Sequence, residues 1–278
     1  MGREIGKIYR RAGKKVRDLM DAFMKPYGAE CEKMLEQVEA GTATEAEYQA
    51  WLQREVFAGG RWNETLRRVT ECYTGADAEA RAAVGDKDRE VFLEASNYTA
   101  KEIGKNTKGT VTFDIYDEKT VDRLLQDDPQ LLPEWRIDEP KDYVWNEKRV
   151  NSTVTSGIVS GKSVHEIGQD LSGELATKNA KKMEMFARTA LTGAENAGRV
   201  ERMKETEAMG VTVLKKWLSV HDARTRDAHA ELDGQTAKPD EPFRSALGNI
   251  MFPGDPAAHP ANVYNCRCTL TYVYPDFD

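Results

Sequence analysis

From Ile5 to about Asn106, apolar residues return every three or four positions among Ala, Glu, Lys, Arg and Met, which is both the period and the composition of helices. Ile8, Ala12, Val16, Leu19 and Phe23 fall on one face of a first helix, Arg10, Arg11, Lys14, Lys15 and Arg17 fall elsewhere, and Pro26 breaks or kinks it. Thr44 and Glu47 have capping-box spacing and predict a second helix that Gly59-Gly60 interrupts. A third is predicted from about Asp77 to Ile103, followed by a lone strand over Thr110–Tyr116 and a short helix over Asp117–Gln126. Between 127 and 141 the apolar period lapses while Pro129, Pro133 and Pro140 accumulate, the mark of a linker or an extended arm.

Beyond that stretch Ser163 and Glu166 form another capping box, opening a helix over VHEIGQDLSGEL. A longer helix is predicted from about Thr177 to Met209, with Met183, Phe186, Ala187, Ala190, Leu191, Ala194 and Ala197 as its buried stripe and Gly210 as its stop. Val211–Val220 and Val263–Tyr274 then alternate like strands around a Gly- and Pro-punctuated region. The pattern predicts an α+β chain: a helical region over 1–126, a linker over 127–141, and a domain over 142–278 whose helices pack on a small antiparallel sheet.

Charge changes the picture in one place. A formal net charge of −7 argues against a chain whose whole surface grips nucleic acid. Yet Arg3, Lys7, Arg10, Arg11, Lys14, Lys15 and Arg17 stand against Glu4 alone, so the first helix offers either a solvated face or a contact for DNA or an acidic partner. No apolar run reaches the roughly 18–20 residues of a membrane helix, and the first residues lack the apolar stretch of a signal peptide, so the expectation is a soluble cytoplasmic protein with no membrane partner. Four scattered cysteines make no disulfide framework.

The chemistry-bearing residues gather late in the chain. Trp217 reads either as a core aromatic or as an anchor. Asp222, Arg224, Arg226, Asp227 and His229 fall within eight residues and form an ion-pair network, a partner or phosphate contact, or an acid/base or metal pair built on Asp222 and His229. Asp233-Gly234 belongs to a turn in which Gly234 takes a positive φ. Cys266 and Cys268 share one face of the predicted strand with Leu270, Tyr272 and Tyr274. They are either a buried pair of thiols with no cofactor, or zinc ligands together with two of His221, His229 and His259.

Four ordered segments, ARTALTGAENAGRVERMKE (187–205), KKWLSVHDARTRDAHAELDGQ (215–235), FPGDP (252–256) and NCRC (265–268), resemble the phage head morphogenesis family. These are minor head proteins akin to the F protein of phage Mu and the gene 7 product of phage SPP1. The resemblance covers roughly Val144 to Tyr274. It implies a non-enzymatic minor capsid protein of a tailed bacteriophage, associated with the portal inside the capsid and present in the host cytoplasm during assembly. The implied partners are the portal, a major capsid or scaffolding protein, and packaged DNA through the basic helix; the implied work is head assembly and DNA packaging or delivery. It also implies that the Asp222–Gly234 and Asn265–Cys268 segments lie together as a clasp. The alternative is an enzyme, a nuclease or toxin-like transferase, using the Asp222/His229 region. The chain ends four residues after Tyr274, which favours the structural expectation.

Overall fold

The computed structural model describes residues 1–128, 131–132 and 139–277, with the side chains of Glu139 and Pro140 left out. Most of the linker expected over 127–141 therefore lies outside the described residues. Its edges belong to helices: Asp127 ends one and Glu139 begins another. The protein is α+β, and packing divides it into two compact units, each made of two stretches of chain.

The first unit comprises Met1–Arg81 and Arg136–Glu184 and is helical. It contains α1 (Gly2–Met24), α2 (Gly28–Glu39), α3 (Glu45–Trp51) with a π-helical turn after it, and the start of α4 (Gly60–Asn106). Both predicted capping boxes are present, at Thr44/Glu47 and Ser163/Glu166, each satisfying amides that the first helical turn leaves without partners. The face of α1 that is buried holds Ile5, Ile8, Tyr9, Ala12, Val16, Met20 and Phe23, so Met20 lies deeper than the expected Leu19. Helix α4 starts at Gly60, not Asp77. Its stripe of Trp62, Val69, Tyr73, Ala76 and Ala80 runs unbroken through a segment of weak helix formers, because burial outweighs propensity there.

The second unit comprises Ala82–Trp135 and Met185–Asp278. The rest of α4 is followed by α5 (Glu118–Asp127), after which the chain passes α6 (Glu139–Val159), α7 (Val164–Gln169) and a second π-helical turn before α8 (Leu175–Ala208). No strand forms over Thr110–Tyr116. Side chains take the place of a neighbouring strand: Asn97 exchanges two hydrogen bonds with Tyr116, at 2.8 and 3.0 Å, and buried Arg202 donates to the Asp114 carbonyl at 2.8 Å. Gly210, at φ +85°, ends α8 as expected.

The sheet follows: β1 (Leu214–Leu218), the four-residue helix α9 (Asp227–Ala230), β2 (Thr236–Ala237), β3 (Phe243–Ser245), β4 (Gly248–Ile250), α10 (Pro260–Val263) and β5 (Thr269–Val273). Strand β1 lies between β2 and β5, antiparallel to both, with Trp217 opposite Leu270; β3 and β4 make a separate hairpin. The strand expected over Val263–Tyr274 begins only at Thr269, because α10 and the turn at Tyr264-Asn265 occupy its first part. Two glycines set how closely α8 can sit to this region. A Cβ on Gly193 would stand 2.6 Å from the Gly254 carbonyl oxygen, and one on Gly254, itself at φ +84°, would stand 2.5 Å from the Gly193 nitrogen. Both positions require glycine, one for space and the other for space and conformation.

Candidate functional site

The four segments that carry the resemblance fold around one centre in the second unit. Trp217, fully buried on β1, meets His229 and Phe243 edge to face at centroid distances of 5.4 and 5.3 Å, so of its two readings the structure takes the core aromatic. Its indole N–H donates to the Ser219 hydroxyl at 3.2 Å, and that hydroxyl donates to the His229 carbonyl at 2.6 Å. Asp233 accepts the Ser219 amide at 2.7 Å, while Gly234, at φ +77°, returns its own amide to the Trp217 carbonyl at 2.9 Å. The Asp222–Gly234 loop is thereby stitched back onto the strand it leaves.

Asn265 turns the chain into its last segment at φ +58°, a conformation asparagine tolerates better than most residues. Its amide donates to Thr189 on α8 at 3.1 Å. Cys266 and Cys268 precede β5 rather than lying in it, yet the alternation holds: both are buried, with the half-buried Arg267 between them. His229 faces the pair. Its Nδ1 lies 3.6 Å from each sulfur, and its Nε2 lies 2.9 Å from Oδ1 of Asn262, a fully buried residue on α10. The three residues are the group of potential metal ligands found among the described residues. The other two histidines of the expected set are elsewhere. His221 is 74% exposed and lies 3.3 Å from Asp233, and His259 caps α10 by accepting the Ala261 amide.

The arginine pattern differs from expectation. Asp222 is held by Arg267 through two bonds of 2.6 Å, while Arg224 stands 4.0 Å away and 80% exposed, and Arg226 donates to the Tyr264 carbonyl. The fork comes from the NCRC segment because the exposed side of that segment presents Arg267 to the loop, whereas Arg224 leaves the turn toward solvent. The Arg267 guanidinium holds the Asp222 carboxyl well below the usual carboxylate range. Asp222 and His229 thus have separate sets of partners, and the geometry gives no acid/base pair. Within the thiol pair, the hydrogen bond from Cys266 pulls the Cys268 thiol down, and the same contact pushes Cys266 up.

Two residues at the heart of this region were not singled out in the sequence. Asn196 on α8 is fully buried, donates to the Thr192 and Pro253 carbonyls at 2.8 and 3.3 Å, and accepts the Leu270 amide at 3.0 Å. It binds α8, the FPGDP turn and β5 together. The available signal was an amide side chain between Ala194 and Ala197 on an otherwise apolar stripe. Lys215 is fully buried beside Trp217, with its Nζ 3.2 and 2.9 Å from the Pro239 and Met251 carbonyls, and burial pushes its ammonium down to about 8. In the first unit, all seven basic residues of α1 are exposed, and Arg11 pairs with Glu79.

Residues 148–271 match the model of the family described as phage Mu protein F like protein. A curated relative, named NAD(+)--arginine ADP-ribosyltransferase EFV, from Enterococcus faecalis, is 31% identical over 130 residues, covering 45% of this chain and 26% of that protein. The chain therefore spans about a quarter of the length of that relative. No solved structure matches the chain. No helix among the described residues is long and apolar enough to cross a membrane.

Proposed function

Because residues 148–271 match the phage Mu F-like family, we propose that the chain is a portal-associated minor capsid protein acting inside the head in assembly and DNA packaging or delivery. The observation that carries this reading is the family match itself, with its segments gathered into one clasp around Trp217 and His229. A scaffold of this kind presents a fixed surface and needs no open catalytic cleft. The exposed basic face of α1 supplies a contact for packaged DNA or for an acidic surface of the portal, capsid or scaffolding protein.

The relative's name raises a transferase as the second reading. Its activity belongs to a protein of which this chain matches 26%, and Asp222 here is committed to Arg267 while His229 is buried. Co-expression with the portal protein of the same phage tests the first reading: a complex that survives moderate salt is expected, and a portal that ignores the chain in vitro and in purified proheads would sink it. Removal of residues 1–17 is expected to weaken only the salt-sensitive part of DNA or partner binding. Cleavage of NAD+ by the intact chain would establish the second reading instead.

A further inference from the structure

Beyond its role in the head, we propose that His229, Cys266 and Cys268 form a binding site for one thiolate-preferring divalent metal ion, zinc by its chemistry, that locks the loop after β1 to the approach to β5. The distances are those of coordination. Two ligands bound tetrahedrally to zinc, one nitrogen at about 2.1 Å and one sulfur at about 2.3 Å, lie about 3.6 Å apart. That is the separation observed from His229 Nδ1 to each of the two sulfurs.

The surroundings fix the histidine in the form a metal requires. Asn262 Oδ1 is an acceptor and also takes the Ser245 hydroxyl at 3.3 Å, while its amide group donates to the Gly248 carbonyl at 3.3 Å. His229 must therefore donate from Nε2, which leaves the Nδ1 lone pair pointing at the thiols. Outer partners that orient a ligating imidazole in this way are the common companions of metal sites. Without a metal, Cys266 can donate its S–H to Nδ1 and Cys268 donates to the Ser219 hydroxyl at 3.7 Å, and an ion bound to both sulfurs and Nδ1 replaces these weak hydrogen bonds.

Charge and burial agree. His229 and Cys266 are each 2% exposed and Cys268 is 5% exposed, so any ion held there is cut off from bulk water. A divalent cation with two thiolates and a neutral imidazole has no net charge, which removes the main cost of burying it. Binding transfers the two thiol protons to solvent, and no oxidant is involved. Ser219 Oγ, 3.7 Å from Cys268 Sγ, is already engaged by Trp217 and the His229 carbonyl. The ligands supplied among the described residues are thus these three. With His229 on the short helix α9 and both cysteines on the approach to β5, the site serves as a cross-link, since the ion joins segments far apart in sequence.

The test uses the full-length, tag-free chain produced with added zinc and carried through gel filtration. About one zinc per chain is expected by elemental analysis, with retention reduced at least tenfold in His229→Ala and in Cys268→Ser. Because those variants can misfold, the wild type is also reloaded with cobalt(II): a thiolate-to-cobalt charge-transfer absorption and the visible bands of a four-coordinate ion are expected. Cys31→Ser/Cys72→Ser, which alters the two cysteines outside the cluster, is expected to keep both signals. A folded wild type holding less than about a tenth of an equivalent, without a charge-transfer band, overturns the proposal. Loss of the signals in Cys31→Ser/Cys72→Ser overturns it as well.

Discussion

Two buried polar centres, one in each unit, are built in opposite ways. In the helical unit Asp77 on α4 is buried and accepts bonds from the Tyr9 hydroxyl and, at 2.8 Å, from the Asn146 amide, so three helices each contribute one side chain. Burial is the main influence on Asp77 and raises its carboxyl above the usual range. Around it run long stripes of apolar residues, such as Ile5, Ile8, Val16 and Met20 on α1, with a close backbone approach at Gly13, where a Cβ would stand 2.2 Å from the Ser172 carbonyl oxygen. In the second unit the Trp217 centre draws on short helices, strands and loops, with Gly193 and Gly254 meeting at one junction and Asn196 joining α8 to the Pro253 carbonyl and the Leu270 amide. Redundant helix packing spreads stability over many positions. A clasp of irregular segments concentrates it in a few, so single substitutions there act sharply.

Glycine substitutions break that contrast most strongly. Gly254→Ala forces a Cβ against the backbone of α8 at a positive φ and is expected to lower stability by about 4 kcal/mol, read by urea unfolding. In the first unit Gly75, inside α4 with nothing within 4 Å of an added Cβ, is expected to gain about 0.5–1 kcal/mol as Gly75→Ala. Equal responses would erase the distinction.

Asn196→Leu comes next, at about 3 kcal/mol, because the Leu270 amide and the Pro253 carbonyl lose their partner in the interior. Hydrogen exchange should show early opening of β5.

Lys215 sharpens the comparison through pH. Burial depresses its folded-state value to about 8, below the unfolded value, so between about pH 8 and 10.5 the unfolded chain carries the extra proton and stability rises with pH. The desolvation cost is fully present below pH 8. Lys215→Met is therefore expected to flatten the rise, worth roughly 3 kcal/mol across the window, and a mutant with the wild-type slope would assign the titration elsewhere.

The smallest effect belongs to the exposed Asp222–Arg267 fork. Its contribution is present above the ordinary carboxylate range and lost as pH falls through the depressed folded value, so Asp222→Asn should matter near neutrality and vanish in strong acid.

The helices were legible because burial repeats along them with a fixed period and their starts carry chemical marks, such as Thr44 with Glu47 and Ser163 with Glu166. Where the local sequence pulled against packing, the reading slipped: α4 runs through Thr70–Gly75 because Val69, Tyr73 and Ala76 are buried along that stretch of weak formers. Thr110–Tyr116 reads as a strand because it alternates and is β-rich, but a strand needs a neighbour, and Asn97 and Arg202 act from helices instead. Within the clasp, Trp217, His229 and the two cysteines stood out as rare residue types in a motif. Asn196 and Arg267 did not, since their roles arise from distant segments, and the choice of Arg267 over Arg224 as the fork depends on the direction each side chain leaves its turn. The same geometry kept His221 and His259 out of the cluster.

The central claim, a head protein seated at the portal, is tested most directly by cryo-electron microscopy of proheads assembled from the head genes of the encoding phage, with and without this chain. The account predicts density for the α8 and β1–β5 region inside the shell at the portal vertex, absent from particles lacking the gene. Proheads whose portal vertex is identical with and without the chain would contradict it.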